Sequence, residues 1–120
     1  MSHIIIIDDD HQIRLMLKKL LEIEGYTVTV AKNGRDGIKE YRKNPADLII
    51  TDIIMPEKEG LETINELKKE FSDIKIIAIS GGGKNNPDTY LYLAKKLGAI
   101  HTFYKPIKKK DLLKVVKNLI

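Results

Sequence analysis

Four consecutive isoleucines, Ile4 to Ile7, leave no polar side for water. Side chains of a strand alternate between the two faces of its sheet, so a strand reading "IIII" needs cover on both. The run Leu48 to Thr51, "LIIT", makes the same demand. Three further runs, Thr27 to Ala31, Ile74 to Ile79 and Ile100 to Tyr104, complete five predicted strands.

Between the strands the apolar period lengthens to that of a helix. Ile13, Leu17, Leu20 and Leu21 make one stripe, and Leu61, Ile64, Leu67 and Phe71 another. Tyr90, Leu93, Ala94 and Leu97 repeat the spacing, as do Leu112, Val115, Val116 and Leu119. A less regular helix around Arg35 to Arg42 has Ile38 and Tyr41 as anchors. Gly25 and Gly98 fall where helices should stop, and Pro45, Pro56, Gly60 and Pro106 mark other joints. Strand followed by helix, five times over, implies an α/β fold: a doubly wound, five-stranded parallel sheet with helices on both faces. At 120 residues the expectation is a single domain over 1–120, with no further domain in this chain.

Composition narrows the chemistry. The chain has no cysteine, which removes disulfides, thiolate metal sites and cysteine nucleophiles. It has no apolar run of the roughly 20 residues needed for a membrane span and no secretory leader, so a cytoplasmic location without membrane partners is expected. The net charge of +4 raises nucleic acid as a partner. The lysines, however, are spread as Lys18-Lys19, Lys68-Lys69, Lys95-Lys96 and Lys108 to Lys110, mostly near expected helix ends. That spread describes a solvated surface, so no direct nucleic-acid binding is expected.

In an open parallel sheet, function gathers at the carboxyl ends of the strands. Asp8, Asp9 and Asp10 follow the first strand, and Asp52 the third. Ser80 and the glycines Gly81 to Gly83 follow the fourth, and Lys105-Pro106 the fifth. Asp8, Asp9 and Asp52 cannot all stay ionised side by side without a compensating positive charge. An all-oxygen donor set selects a hard cation, and Mg²⁺ is the expected one. With a phosphoryl group on the open side of the metal, Asp52 is placed as a nucleophile, and Ser80 and Lys105 as holders of the other oxygens.

These pieces, "IIIIDDD", "LIITDIIMPEKEG", "IIAISG" and "FYKPI", resemble the receiver domain of two-component response regulators over essentially the whole chain. The resemblance implies the flavodoxin-like strand order 2-1-3-4-5. It implies that Asp52 accepts a phosphoryl group from a sensor histidine kinase or phosphotransfer protein. Asp9 would bind Mg²⁺ directly, Asp8 mainly through water, and the backbone carbonyl of Ile54 would be a further ligand. Ser80 would bond the phosphoryl group and Lys105 would pair with it, ahead of a cis bond to Pro106. The surface of the fourth helix, fifth strand and fifth helix, with Tyr92, Lys95, Tyr104 and Lys108, would carry the change to a downstream effector protein or domain. The chain departs from the family at Thr102, where an aromatic residue is common.

Simpler readings exist for each residue. Asp9 and Gln12 have capping-box spacing, and for Asp10 capping of the first helix is the better reading. His3, His11 and His101 are expected to be structural or solvated. A true Mg²⁺-dependent phosphatase with an aspartate nucleophile is the competing function. It usually carries a second carboxylate two positions on, where this chain has Ile54. A pure binding module is the third reading, and the intact set of Asp8, Asp9, Asp52, Ser80 and Lys105 counts against it.

Overall fold

The computed structural model describes residues 2–53, 60–81 and 87–120, leaving out the side chains of 87–90. Ile54, Pro56, Gly82, Gly83 and the side chain of Tyr90 lie outside the described set. The strands are β1 (His3–Ile7), β2 (Thr27–Ala31), β3 (Leu48–Asp52), β4 (Ile76–Ser80) and β5 (His101–Tyr104). The helices are α1 (His11–Ile23), α2 (Gly34–Lys43), α3 (Gly60–Glu70), α4 (Pro87–Leu97) and α5 (Lys109–Leu119). All strand pairs are parallel, in the order β2-β1-β3-β4-β5.

The isoleucine run splits as its alternation requires. Ile5 and Ile7 enter the core shared with α2, α3 and α4, while Ile4 and Ile6 enter the core shared with α1 and α5. All four are fully buried. Each contributes on the order of 1.5–3 kcal/mol by leaving water, which ties β1 into the centre of the sheet.

Three expectations need correction. Asp52 and Ser80 are the last residues of β3 and β4 rather than the first residues beyond them. Among the described side chains of α4 the buried ones are Leu91 and Ala94, whereas Leu93 is exposed. Ala94 and Leu97 of the expected face do pack on the core, and Leu91 takes the place expected for Leu93, where α3 as well as the sheet packs on the helix. Lys18 and Lys19 sit mid-helix in α1, whose last turn has no basic residue. Gly25 and Gly98 do end helices, with φ of 96° and 120°, a region costly for residues with a Cβ.

The path of the chain fixes where a site can form. From β1 it turns one way to β2, then crosses back to β3 on the other side of β1. The loops leaving β1 and β3 therefore diverge, opening a crevice at the carboxyl edge. Ile7 pairs with Thr51, so Asp8 comes level with Asp52. Asp52 pairs with Ile79, which puts Ser80 one step beyond, and Ser80 pairs with Tyr104, the neighbour of Lys105. Among the described residues, no helix is long and apolar enough to cross a membrane.

A carboxylate and lysine site at the carboxyl edge

The turn after β1 is fixed from several directions. The Asp8 N–H donates to the Ala31 carbonyl at 3.1 Å, continuing the sheet. The Asp10 N–H donates to Asp8 Oδ1 at 2.9 Å. Asp10 itself is the N-cap of α1, its Oδ1 accepting from the N–H groups of Gln12 and Ile13. Arg14, one turn into the helix, reaches back and donates to the Asp8 carbonyl oxygen at 2.7 Å. Asp8 is thereby buried and held, while Asp9 is exposed.

Asp52 is 5% exposed at the end of β3. Lys105 crosses from β5 to meet it. Its Nζ donates to Asp52 Oδ2 at 3.0 Å and lies 3.1 Å from Asp8 Oδ2. The lysine stem runs over Gly81, where any Cβ would strike Lys105 Cδ. A side chain at position 81 would push the ammonium away from the carboxylates. The Lys105 N–H donates to the Ser80 carbonyl at 2.8 Å, and the Lys105–Pro106 peptide bond is cis.

Among the described residues, two buried side-chain oxygens have no hydrogen-bond partner: Asp8 Oδ2 and Ser80 Oγ. Asp8 Oδ2 is close to the lysine ammonium without being aligned for a hydrogen bond with it. A buried polar atom left unpaired costs about 1–3 kcal/mol. One such atom follows β1 and the other ends β4, the two strands that flank β3, one on each side of Asp52.

Protonation follows from this arrangement. Burial raises the Asp8 carboxyl above its ordinary value; the Asp10 N–H works against this, the Asp52 charge adds to it, and Lys105 opposes it. Burial alone would lower the Lys105 amine. The hydrogen bond to Asp52 and the charges of Asp52 and Asp8 outweigh that and hold it above its ordinary value. The site is a partly neutralised pair of carboxylates with one fixed ammonium.

Asp8, Asp9 and Asp52 each bring a carboxylate oxygen within 4.8 Å of the others. Three oxygen donors so grouped, one of them buried and without a hydrogen bond, fit a small hard cation. The sequence-derived residues Asp8, Asp9, Asp52, Ser80 and Lys105 thus meet along one edge of the sheet. Ile54, named for its carbonyl, lies outside the described residues. His3 is structural: its ring contacts Thr29 Oγ1 at 2.8 Å and the Pro45 carbonyl at 3.3 Å.

Two contributors were not legible as site residues. Arg14 acts across six positions onto a backbone oxygen, a spacing that no helix-pair rule flags. Thr51, fully buried, donates its hydroxyl to the Asp52 carbonyl at 2.9 Å, and alternation alone marks it only as a core position.

Comparison with known proteins places this arrangement in a family. The profile of the response regulator receiver domain matches residues 4–117. The chain belongs to the response regulator receiver domain family, the receiver module of two-component signalling. It is 31% identical over 120 residues to the response regulator SaeR of Staphylococcus aureus, covering all of this chain and 51% of that protein. It is 29% identical to the transcriptional regulatory protein CpxR homolog of Haemophilus influenzae, with the same coverage. The chain therefore spans about half the length of these relatives. A response regulator receiver domain protein from Clostridium thermocellum superposes with a TM-score of 0.91 at 32% identity, over 100% of this chain and 94% of that one. The response regulator TrrA of Thermotoga maritima, solved in complex with Mg²⁺-BeF, gives 0.85 at 32% identity over the full length of both chains. Receiver domains typically bind Mg²⁺ at an aspartate cluster, which here is Asp8, Asp9 and Asp52.

Proposed function

We propose that this chain, as one receiver domain over 1–120, is a phosphorylation-driven signalling switch in which Asp52 takes a phosphoryl group from a partner histidine kinase or phosphotransfer protein. The supporting observation is that two buried oxygens without a hydrogen bond flank Asp52: Ser80 Oγ, and Asp8 Oδ2, which faces the Lys105 ammonium at 3.1 Å. In the transfer, a carboxylate oxygen of Asp52 attacks phosphorus, the P–N bond to the donor histidine breaks, and the imidazole leaves with its electron pair. Attack of water on phosphorus later releases phosphate and restores the carboxylate.

Each neighbour has a task. The Lys105 ammonium, already 3.0 Å from Asp52, exchanges a carboxylate oxygen for a phosphoryl oxygen. Ser80 donates its hydroxyl to another phosphoryl oxygen and so satisfies its buried Oγ. Asp8, Asp9 and Asp52, with the carbonyl of Ile54, hold Mg²⁺, which when bound offsets charge on the transferring group. Pull on Ser80 and Lys105 acts on β4 and β5, and through them on the surface of α4, β5 and α5. That surface, with Tyr92, Lys95, Tyr104 and Lys108, controls a downstream effector.

The site catalyses only its own phosphorylation and dephosphorylation. A phosphatase acting on outside substrates needs a proton donor for its leaving group, and Ile54 in the position two past Asp52 offers none. Transfer of label from a phosphohistidine donor protein is the test. Label is expected on the wild-type chain and absent from Asp52→Asn. Sustained turnover of simple phosphate esters would overturn the reading in favour of an enzyme.

A further inference from the structure

A second concave surface lies at the opposite edge of the sheet from the carboxylate and lysine site. It is a cavity of about 790 Å³ whose walls include Tyr41, Asp47, Phe71, Asp73, Ile74 and Lys75. Asp47 and Lys75 immediately precede β3 and β4, the strands that Asp52 and Ser80 end. A strand of five residues separates its ends by roughly 17 Å, so this cavity is distinct from the site around Asp52.

The cavity sits in a field that favours positive charge. Three helices finish at its wall: Tyr41 lies in the last turn of α2, Phe71 follows α3, and Leu119 ends α5. The carboxyl end of a helix carries partial negative charge. The cations nearby are already committed. Arg42 makes two hydrogen bonds to Glu70, and Lys68 Nζ donates to the carbonyls of Ser72 and Ile74. Lys75 Nζ donates to the Leu119 carbonyl at 2.6 Å. Asp47 Oδ2 accepts the His3 N–H at 2.8 Å. Among the described residues, neither Asp47 nor Asp73 has an ion-pair partner.

Tyr41 points to a ligand independently. It lines the cavity, is only 8% exposed, and packs its ring 4.7 Å from that of Phe71. A buried tyrosine hydroxyl usually finds a hydrogen-bond partner. Among the described residues this one has none. Burial, helped by the Asp47 charge, holds the hydroxyl above its ordinary value, so it stays protonated and can both donate and accept.

We infer that this cavity binds a small aromatic amine in its protonated form. The carboxylates of Asp47 and Asp73 and the oxygen of the Tyr41 hydroxyl take the ammonium group. The half-buried Phe71 and the side chain of Ile74 take the ring of the ligand. An anion would meet two carboxylates and three helix carboxyl ends. A bare metal ion would leave the aromatic wall uncovered and would need more oxygen donors than this wall brings. The proposal goes beyond the receiver reading and does not depend on it.

The test is a chemical-shift titration of the whole chain with 2-phenylethylammonium as the probe. Shifts are expected at Phe71, Asp73 and Lys75 and not at Asp52 or Lys105. The double variant Asp47→Asn, Asp73→Asn, which keeps an oxygen for the His3 N–H, is expected to lose at least about tenfold in affinity. Tyr41→Phe keeps the packed ring and is expected to weaken binding several-fold. The probe 3-phenylpropionate, with a similar ring and the opposite charge, is expected not to bind. Absence of binding, shifts confined to the Asp52 edge, undiminished affinity in either variant, or equal binding of phenylpropionate would each overturn the proposal. So would a second copy of the chain covering the cavity, seen as concentration-dependent shifts at the same residues without the probe.

Discussion

Lys105 and Asp52, 53 positions apart in the chain, meet at 3.0 Å, with Asp8 Oδ2 only 3.1 Å from the same ammonium. The positive charge that the buried carboxylates require is therefore supplied within the chain. A metal that binds here joins a site already partly compensated by the lysine.

Removing that ammonium leaves two buried carboxylates facing each other. Lys105→Met is expected to destabilise the metal-free chain by about 2–3 kcal/mol, on the low side for a buried pair because 20% of the lysine side chain meets water. Mg²⁺ should recover most of the loss, since it replaces the missing charge. Urea unfolding with and without Mg²⁺ measures both effects; a loss that Mg²⁺ does not recover would assign Lys105 a packing role instead.

The raised Asp8 carboxyl sets a pH dependence. Between the ordinary carboxylate value and the raised one, folded protein keeps a proton that the unfolded chain has lost. Stability in that window falls as pH rises, and Asp8 contributes its cost in full above the raised value. Asp8→Asn keeps an oxygen for the Asp10 N–H and removes the charge. It should flatten the slope and stabilise the metal-free chain at neutral pH by about 1–2 kcal/mol. Unfolding midpoints across mildly acidic to neutral pH give the answer, and a less stable Asp8→Asn chain would refute the assignment.

Arg14 positions Asp8 through its backbone and touches no reacting group. Arg14→Ala should cost about 1–2 kcal/mol for the lost charged hydrogen bond. Mg²⁺ affinity should fall by roughly tenfold, the scale for groups that orient metal ligands. Calorimetric titration with Mg²⁺ separates the roles: unchanged affinity in a less stable protein would make Arg14 structural only.

Three adjacent aspartates have three separate fates, and Asp10 belongs to the helix. Asp10→Ala should lose about 1 kcal/mol, the usual value of an N-cap. Phosphoryl transfer should proceed as in the wild type. A variant that unfolds normally but no longer takes up phosphate would move Asp10 into the site.

Sequence reading reached the parallel sheet and the five convergent side chains because both rest on local signals, whereas the strand order came from the family resemblance. The doubly apolar runs demanded a covered parallel sheet, and the polar residues at their carboxyl ends had no core to enter. It placed Asp52 and Ser80 one residue too far along, since alternation in "LIITD" cannot say which residue makes the last ladder bond. In α4 it kept Ala94 and Leu97 but chose Leu93 over Leu91, because the two leucines are equally apolar and contact with α3 decides between them. Arg14 escaped notice for a related reason: its partner is a backbone oxygen, which no side-chain pattern records.

Intact mass after incubation with Mg²⁺ and a small phosphodonor bears most directly on the central claim. The account predicts one phosphoryl adduct on the wild-type chain, lost on chelation of the metal and absent from Asp52→Asn. An adduct that persists in Asp52→Asn, or no adduct on the wild-type chain, would contradict it.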